Sequence, residues 1–265
     1  MVNLNLKKEI HNHLISSGEW LSGERLSSIL NVSRVAIWKH LQKMKEAGYP
    51  LLSSHQGYKL NPAEDTLAPW ALDFTEREIH HYPVIESTMN EARQIAEFGT
   101  SPGALVLAEE QTRGRGRLGR SWDSGEGGLY FTIIEYPQGD LKGVYGINTR
   151  AVLAVRDSLK MDFGLECWCR EPNDIWTKEG KIAGILLEVS AEIERIRYVN
   201  IGIGINVRSI HREKSDNEAM LEDIIGKRIK RRELLSTVLL RYEKNKFLKG
   251  NTLETIWKKS LLNID

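Results

Sequence analysis

Cysteine is scarce: the 265 residues contain two, Cys167 and Cys169. Two cannot build a disulfide framework, and with no second pair beside them they complete no metal site. No apolar run approaches the roughly 20 residues that a membrane-spanning helix needs. The opening Met1-Val2-Asn3-Leu4-Asn5 does not read as a signal peptide. Internal repeats and low-complexity tracts are absent, and so is an excess of one charge: 37 Lys and Arg face 36 Asp and Glu. What is present is a 41% hydrophobic fraction, too high for a disordered chain. At roughly 150 residues per domain, the length fits two domains. The expectation is a soluble, cytoplasmic protein of a reducing compartment, without a membrane partner.

A net charge near zero argues against nucleic acid only if the charge is spread evenly, and it is not. Residues 1–62 hold eight Lys and Arg against four Asp and Glu, a net +4, which leaves −3 for the rest. Residues 62–83 hold three of the seven prolines. The expected domains are therefore 1–62, a linker at 63–80, and 81–265.

The basic segment reads as three short helices and a hairpin. Leu6, Ile10 and Leu14 have helical spacing up to Gly18. A second helix is expected over Glu24–Leu30, then a turn at Asn31-Val32-Ser33. Ser33 is a good N-cap for a third, Arg34–Ala47, which Gly48 ends. Ile37, Leu41 and Met44 form the buried stripe of that helix. Residues 51–60 then read as a hairpin. This is a winged helix-turn-helix, whose third helix suits the major groove of DNA. The expected DNA-facing set is Ser33, Arg34, Trp38, Lys39, Gln42 and Lys43, with Arg34 and Gln42 able to reach base edges. The competing reading is a helical interaction module with a solvated charged face; the coincidence of turn, cap and wing favours DNA. Trp38 either meets a thymine methyl or sugar, or packs under the wing.

From Tyr82 strands and helices alternate. Strands are expected at Tyr82–Ile85, Ala104–Glu109, Leu129–Glu135, Leu165–Arg170, Ile182–Ser190 and Arg195–Ile205. Helices are expected at Thr88–Glu97, Tyr145–Phe163, Arg231–Lys246 and Leu253–Leu261. The short connection between the last two strands implies antiparallel pairing, hence an α+β domain with a mixed sheet. Between two strands lies Arg113-Gly114-Arg115-Gly116-Arg117-Leu118-Gly119-Arg120-Ser121-Trp122. Glycines let backbone approach a ligand, and arginines at this spacing can surround an anion. A phosphate cradle is favoured over an Arg/Gly nucleic-acid tail, since such tails are usually terminal and repetitive. Such a loop is expected to order around a phosphate. Lys181, entering an apolar strand, taken alone reads as a snorkelling lysine. Asn173-Asp174 after Pro172 can be an ordinary turn. Gly202 and Gly204 share one strand face, which suggests close approach by a ligand.

Taken together these motifs resemble the bacterial bifunctional biotin–protein ligase and biotin operon repressor. The resemblance rests on Ser87-Thr88, Glu110-Gln111, Arg113 to Arg120, Trp122, Gly127-Gly128-Leu129-Tyr130, Pro172-Asn173-Asp174, Lys181 to Leu186 and Gly202 to Asn206, and it spans residues 1 to about 262. It implies a class II synthetase-like catalytic domain that joins biotin to ATP, with Mg²⁺, as biotinyl-5′-AMP. The biotin then passes to a lysine of a biotin carboxyl carrier protein. It implies operator DNA and a ligand-linked homodimer as further partners, and no resident metal site. Ser87, Thr88, Met89 and Gln111 then belong to the biotin side, with Arg115, Gly116, Arg117, Lys181, Gly202 and Gly204. Arg115, Arg117, Arg120, Trp122, Asn173, Asp174 and Asn206 belong to the ATP and adenylate side. Lys181 and Arg117 are the expected catalytic groups. The alternatives are a DNA-binding regulator that senses biotin or its adenylate and ligates poorly, or a relative that takes another carboxylate.

Three departures stand out. Arg170-Glu171 replaces the usual Lys-Trp before Pro-Asn-Asp, and Glu171 either weakens nucleotide binding or faces solvent. The segment Arg208 to Met220, matching the family's adenylate-binding loop, has no aromatic residue. A small β-barrel expected after the central domain is not found before Asp265.

Overall fold

The structure, a computed structural model, describes residues 2–61, 65–72, 77–138, 143–192, 195–208, 210 and 217–261. The chain divides into two compact units, Met1–Thr75 and Glu76–Asp265.

The first unit is built from α1 (Val2–Ser17), α2 (Gly23–Leu30), α3 (Arg34–Glu46) and the hairpin β1 (Leu51–Ser54) and β2 (Gly57–Leu60). Both short helices begin at a serine whose hydroxyl accepts a backbone N–H: Ser22 from Arg25 at 3.1 Å and Ser33 from Ala36 at 3.2 Å. Asn31 ends α2 in the left-handed conformation, which turns the chain sharply into α3. Ile37, Leu41 and Met44, the expected stripe, are fully buried with Ile10, Leu14 and Leu26. Tyr49, Ala68 and Trp70 close the same core. The hairpin is tied down by Leu21, which exchanges backbone bonds of 2.8 and 2.9 Å with Tyr58. Gly57 is required there, because a Cβ would fall 2.2 Å from the Leu21 carbonyl oxygen.

The second unit is a mixed seven-stranded sheet with helices. Its strands are β3 (Ile79–Ile85), β4 (Ala104–Gln111), β5 (Leu129–Glu135), β6 (Trp168–Arg170), β7 (Asp174–Thr177), β8 (Gly180–Glu192) and β9 (Arg195–Ile205). Their order is β3-β4-β5-β9-β8-β7-β6. Only β3 and β4 run parallel, joined through α4 (Thr88–Phe98); every other pairing is antiparallel. The expected strand at Leu165 begins only at Trp168, and β7 was not foreseen. α5 (Gly143–Phe163) packs on β6, β7, β8 and α7 (Arg231–Asn245). Two further helices are α6 (Leu221–Ile225), also unforeseen, and α8 (Gly250–Ser260).

Register places the site. Across β5, β9 and β8, Thr132 faces Gly202 and Leu186, while Tyr130 faces Gly204 and Gly184. Gly184 and Gly204 are thus cross-strand neighbours and make a flat spot without side chains in the middle of the sheet.

Candidate active site and nucleic-acid interface

A cavity of about 380 Å³ lies over that flat spot. Three arginines of the glycine-rich loop reach it, Arg115, Arg117 and Arg120, together with Gly116 and Trp122. Ser87, Thr88, Met89 and Gln111 line one part of it, and Asn173, Asp174 and Lys181 another, with Gly202 and Gly204 beneath. Of the expected substrate-binding residues only Asn206 does not line the cavity. Its side-chain amide donates to the Lys181 carbonyl oxygen at 3.2 Å, so it steadies the strand that carries the lysine.

The loop is closed by its own backbone. Gly116 N–H donates to Arg120 O at 2.8 Å and Trp122 N–H to Gly114 O at 2.9 Å. A Cβ on Gly114 would meet Trp122 O at 2.2 Å, so glycine is needed for this closure. Arg115 is held by Asn90 at 2.9 Å and Glu188 at 2.5 Å. Arg117 reaches Asn173 Oδ1 at 3.4 Å, and Arg113 turns away to Glu86.

At the other wall, Gln111 Oε1 accepts from Thr88 N–H at 2.8 Å and from Thr88 Oγ1 at 3.0 Å. Gln111 Nε2 donates to Ser124 Oγ at 2.7 Å, and Thr132 Oγ1 donates to Thr88 Oγ1 at 3.0 Å. Ser87 Oγ is buried and, among the described residues, has no hydrogen-bond partner. Buried hydroxyls are rarely left so, and this one borders the cavity.

Lys181 does not snorkel to open solvent. Its Nζ lies 2.8 Å from Asp174 Oδ1 and 5.0 Å from the centre of the Trp122 ring. That ring covers the glycine pair: a Cβ on Gly204 would sit 2.5 Å from its Nε1 and one on Gly184 2.9 Å from its Cζ3. Met89 likewise covers Gly202, where a Cβ would be 2.6 Å from Sδ. The room released by the glycines is thus filled by the chain's own Trp122 and Met89.

Several lining residues escaped the sequence reading: Ser121, Trp176, Ile185, Leu186 and Ile203. For Gly184 a signal existed, its place in the Lys-x-Ala-Gly run, but not its register opposite Gly204. Glu171 lines the cavity edge and accepts from Trp257 Nε1 at 3.3 Å. Arg170 stacks on Trp176, 4.6 Å from the ring centre. The expected adenylate-binding loop falls partly outside the described residues, at 209 and 211–216. Among the described residues no group of three His, Cys, Asp or Glu forms a metal cluster. Cys167 and Cys169 are buried away from this chemistry, and burial pushes the Cys167 thiol up to about 12.

On the first unit, Arg34, Trp38, Lys39 and Lys43 are exposed on α3, and Gln42 is half-buried beside them. Ser33 spends its hydroxyl on the helix cap. Burial, with Lys7 and Lys43 near it, holds the His40 ring below the usual imidazole range.

A winged helix-turn-helix in the same chain as a mixed sheet carrying an arginine- and lysine-lined cavity defines a class: a DNA-binding regulator fused to a carboxylate-activating ligase. Residues 82–206 match the biotin/lipoate A/B protein ligase family and residues 7–59 a helix-turn-helix domain. The chain is 33% identical, over 90% of its length and 78% of theirs, to the bifunctional ligase/repressor BirA of Bacillus spizizenii. It is 30% identical to BirA of Escherichia coli, over 76% of this chain and 64% of that one. The biotin protein ligase of Aquifex aeolicus, solved with biotin and ATP, superposes with a TM-score of 0.59 at 32% identity, covering 70% of this chain and 78% of that one. The chain belongs to the BirA-type family of bifunctional ligases and repressors. No helix among the described residues is long and apolar enough to cross a membrane.

Proposed function

We propose that the chain activates biotin with ATP to biotinyl-5′-AMP, transfers the biotin to a lysine of a biotin carboxyl carrier protein, and represses transcription from operator DNA through its winged helix. The observation that carries the first part is one cavity joining Lys181 and three loop arginines to an unbonded Ser87 hydroxyl over a glycine-floored sheet.

The first step brings two anions together. A carboxylate oxygen of biotin attacks the α-phosphorus of ATP, a P–O bond breaks, and pyrophosphate leaves. No protein nucleophile is needed; charge and position carry the step. In this reading Lys181 Nζ exchanges Asp174 for the biotin carboxylate and then for the α-phosphate. Arg117 and Arg120 hold the phosphates, and Arg115, clamped by Asn90 and Glu188, fixes the loop. Ser87 donates to the ureido ring beside Thr88 and Gln111, while Trp122 and Met89 supply the apolar wall. In the second step the carrier lysine's amine attacks the acyl carbon of the mixed anhydride and AMP leaves. Asp174, whose carboxylate lies in the cavity, would hold a Mg²⁺ brought in with ATP, and the ion would supply positive charge to the phosphates. Its other ligands would be phosphate and water, as is usual for this ion. The reading also includes a homodimer favoured by the adenylate, and a cytoplasmic setting in which ATP, carrier and operator meet.

The test is incubation of the purified chain with biotin, ATP, Mg²⁺ and a biotin carboxyl carrier domain. Biotinylated carrier is the expected product. Glu171 at the cavity edge favours one second reading, a biotin-sensing regulator. Tight biotin binding by calorimetry with no carrier modified would establish that reading instead.

A further inference from the structure

Two large apolar side chains stand in solvent on α3: Val35 is 63% exposed and Trp38 53%. They are three residues apart, so they lie side by side on one helix face. Neither belongs to the buried stripe of Ile37, Leu41 and Met44, of which only Ile37 borders the same spot. With Arg34, Ile37, Gly23 and Tyr58 they border a shallow depression of about 400 Å³ between α3 and the wing. The backbone on both sides of it is tied down. Ser33 caps the helix on one side, and the Leu21–Tyr58 backbone bonds pin the wing on the other. A preformed apolar recess loses little freedom when it is filled.

The surroundings select the occupant. Arg34, Lys39 and Lys43 are exposed on the same helix, in a stretch, residues 1–62, with four more positive than negative side chains. A polyanion is therefore the partner that the rim attracts. In the major groove of DNA, the apolar group that base edges present is the 5-methyl of thymine. We infer that the recess formed by Val35, Trp38 and Tyr58 receives the methyl group of one thymine in each operator half-site, with Arg34 on the adjoining phosphate. The inference rests on the operator reading above and adds to it a base-specific contact made without a hydrogen bond.

The test begins with the full chain, biotin and ATP, selecting duplexes from a random library. In the best duplex, each thymine is then replaced singly by deoxyuridine, which lacks only the methyl group. One position per half-site should lose binding about four-fold, the worth of one buried methyl at about 0.8 kcal/mol. Trp38→Ala and Val35→Ala proteins should bind the thymine duplex more weakly and no longer distinguish it from the uracil one. Their salt dependence should stay unchanged, and circular dichroism should show the fold intact. A chain that enriches a duplex but is indifferent to every methyl overturns the inference alone. So does a Trp38→Ala protein that still discriminates. A chain that enriches no duplex overturns the operator reading, and this inference with it.

Discussion

Lys181 shows how a residue's role depends on what faces it. Taken singly it is a lysine on an apolar strand; in the fold it is a cation 2.8 Å from Asp174 inside a cavity that four arginines also line. Replacing it with alanine removes the cation that the proposed mechanism sets against both anions and takes away the ion pair with Asp174. Lys181→Ala should slow adenylate formation by about 10²–10³-fold, the usual cost of one preorganised transition-state donor. Pyrophosphate release measures it, and a variant that works normally would remove Lys181 from the mechanism. Gly204 is the opposite case, a residue whose value is the side chain it lacks. A Cβ there would lie 2.5 Å from Trp122 Nε1, so Gly204→Ala must shift the indole. The expected overpacking cost is about 1–3 kcal/mol, seen as a rise of about five-fold or more in the KM for biotin and a change in tryptophan fluorescence. Normal biotin affinity would mean that the ring yields freely. The loop arginines and the glycine pair Gly202 and Gly204 were marked by residue type and spacing, whereas Lys181 and Gln111 were placed in the site only by the family resemblance. Trp176, Ile203 and the covering of the glycines by Trp122 and Met89 were not legible. Those depend on cross-strand register and on rotamers, which no local pattern encodes.

Elements were read well where a period or a cap marked them. β5 and β9 have the expected bounds, and α3 begins at the expected cap, because a short, nearly continuous apolar run or a serine N-cap marks each. β7, at four residues, and α6, at five, are too short to show a period, and they were missed. Tertiary pairing with β8 makes β7 a strand. The cap on α3 gives an element-level prediction. Ser33 Oγ satisfies one of the N–H groups that a helix start leaves open, so Ser33→Ala should destabilise the helix by about 1 kcal/mol. Hydrogen exchange on the full chain would show this as about five-fold faster exchange of the α3 amides, with β8 and β9 unaffected. Equal exchange in both proteins would mean that packing of Ile37, Leu41 and Met44 alone holds the helix start.

At the scale of the whole molecule, a net charge of +1 conceals a division of labour. Charge averaged over the chain says nothing of its parts: residues 1–62, the head that holds the winged helix, sum to +4 and residues 63–265 to −3, while Glu64, Asp65 and Asp73 bring the whole first unit, Met1–Thr75, to +1. The head's positive side chains include Lys39 and Lys43, exposed on the helix offered to DNA. The cavity's cations, Arg115, Arg117, Arg120, Arg170 and Lys181, all belong to the second unit. The two activities are therefore separable by mutation, and the separation has a numerical signature. Each phosphate contact contributes about 0.9 to the slope of log K against log salt on duplex DNA. A Lys39→Ala, Lys43→Ala double variant should bind operator more weakly, with a slope shallower by about 1.8 if each lysine meets one phosphate. Its rate of carrier biotinylation should equal that of the parent, since no residue lining the cavity has changed. Filter binding across a salt series and a carrier assay on the same preparation measure both quantities. An unchanged slope would place DNA on another face of the winged helix. A fall in ligation beside a normal slope would mean that the basic head serves the ligase rather than the operator, and the charge division would then have to be explained by the carrier.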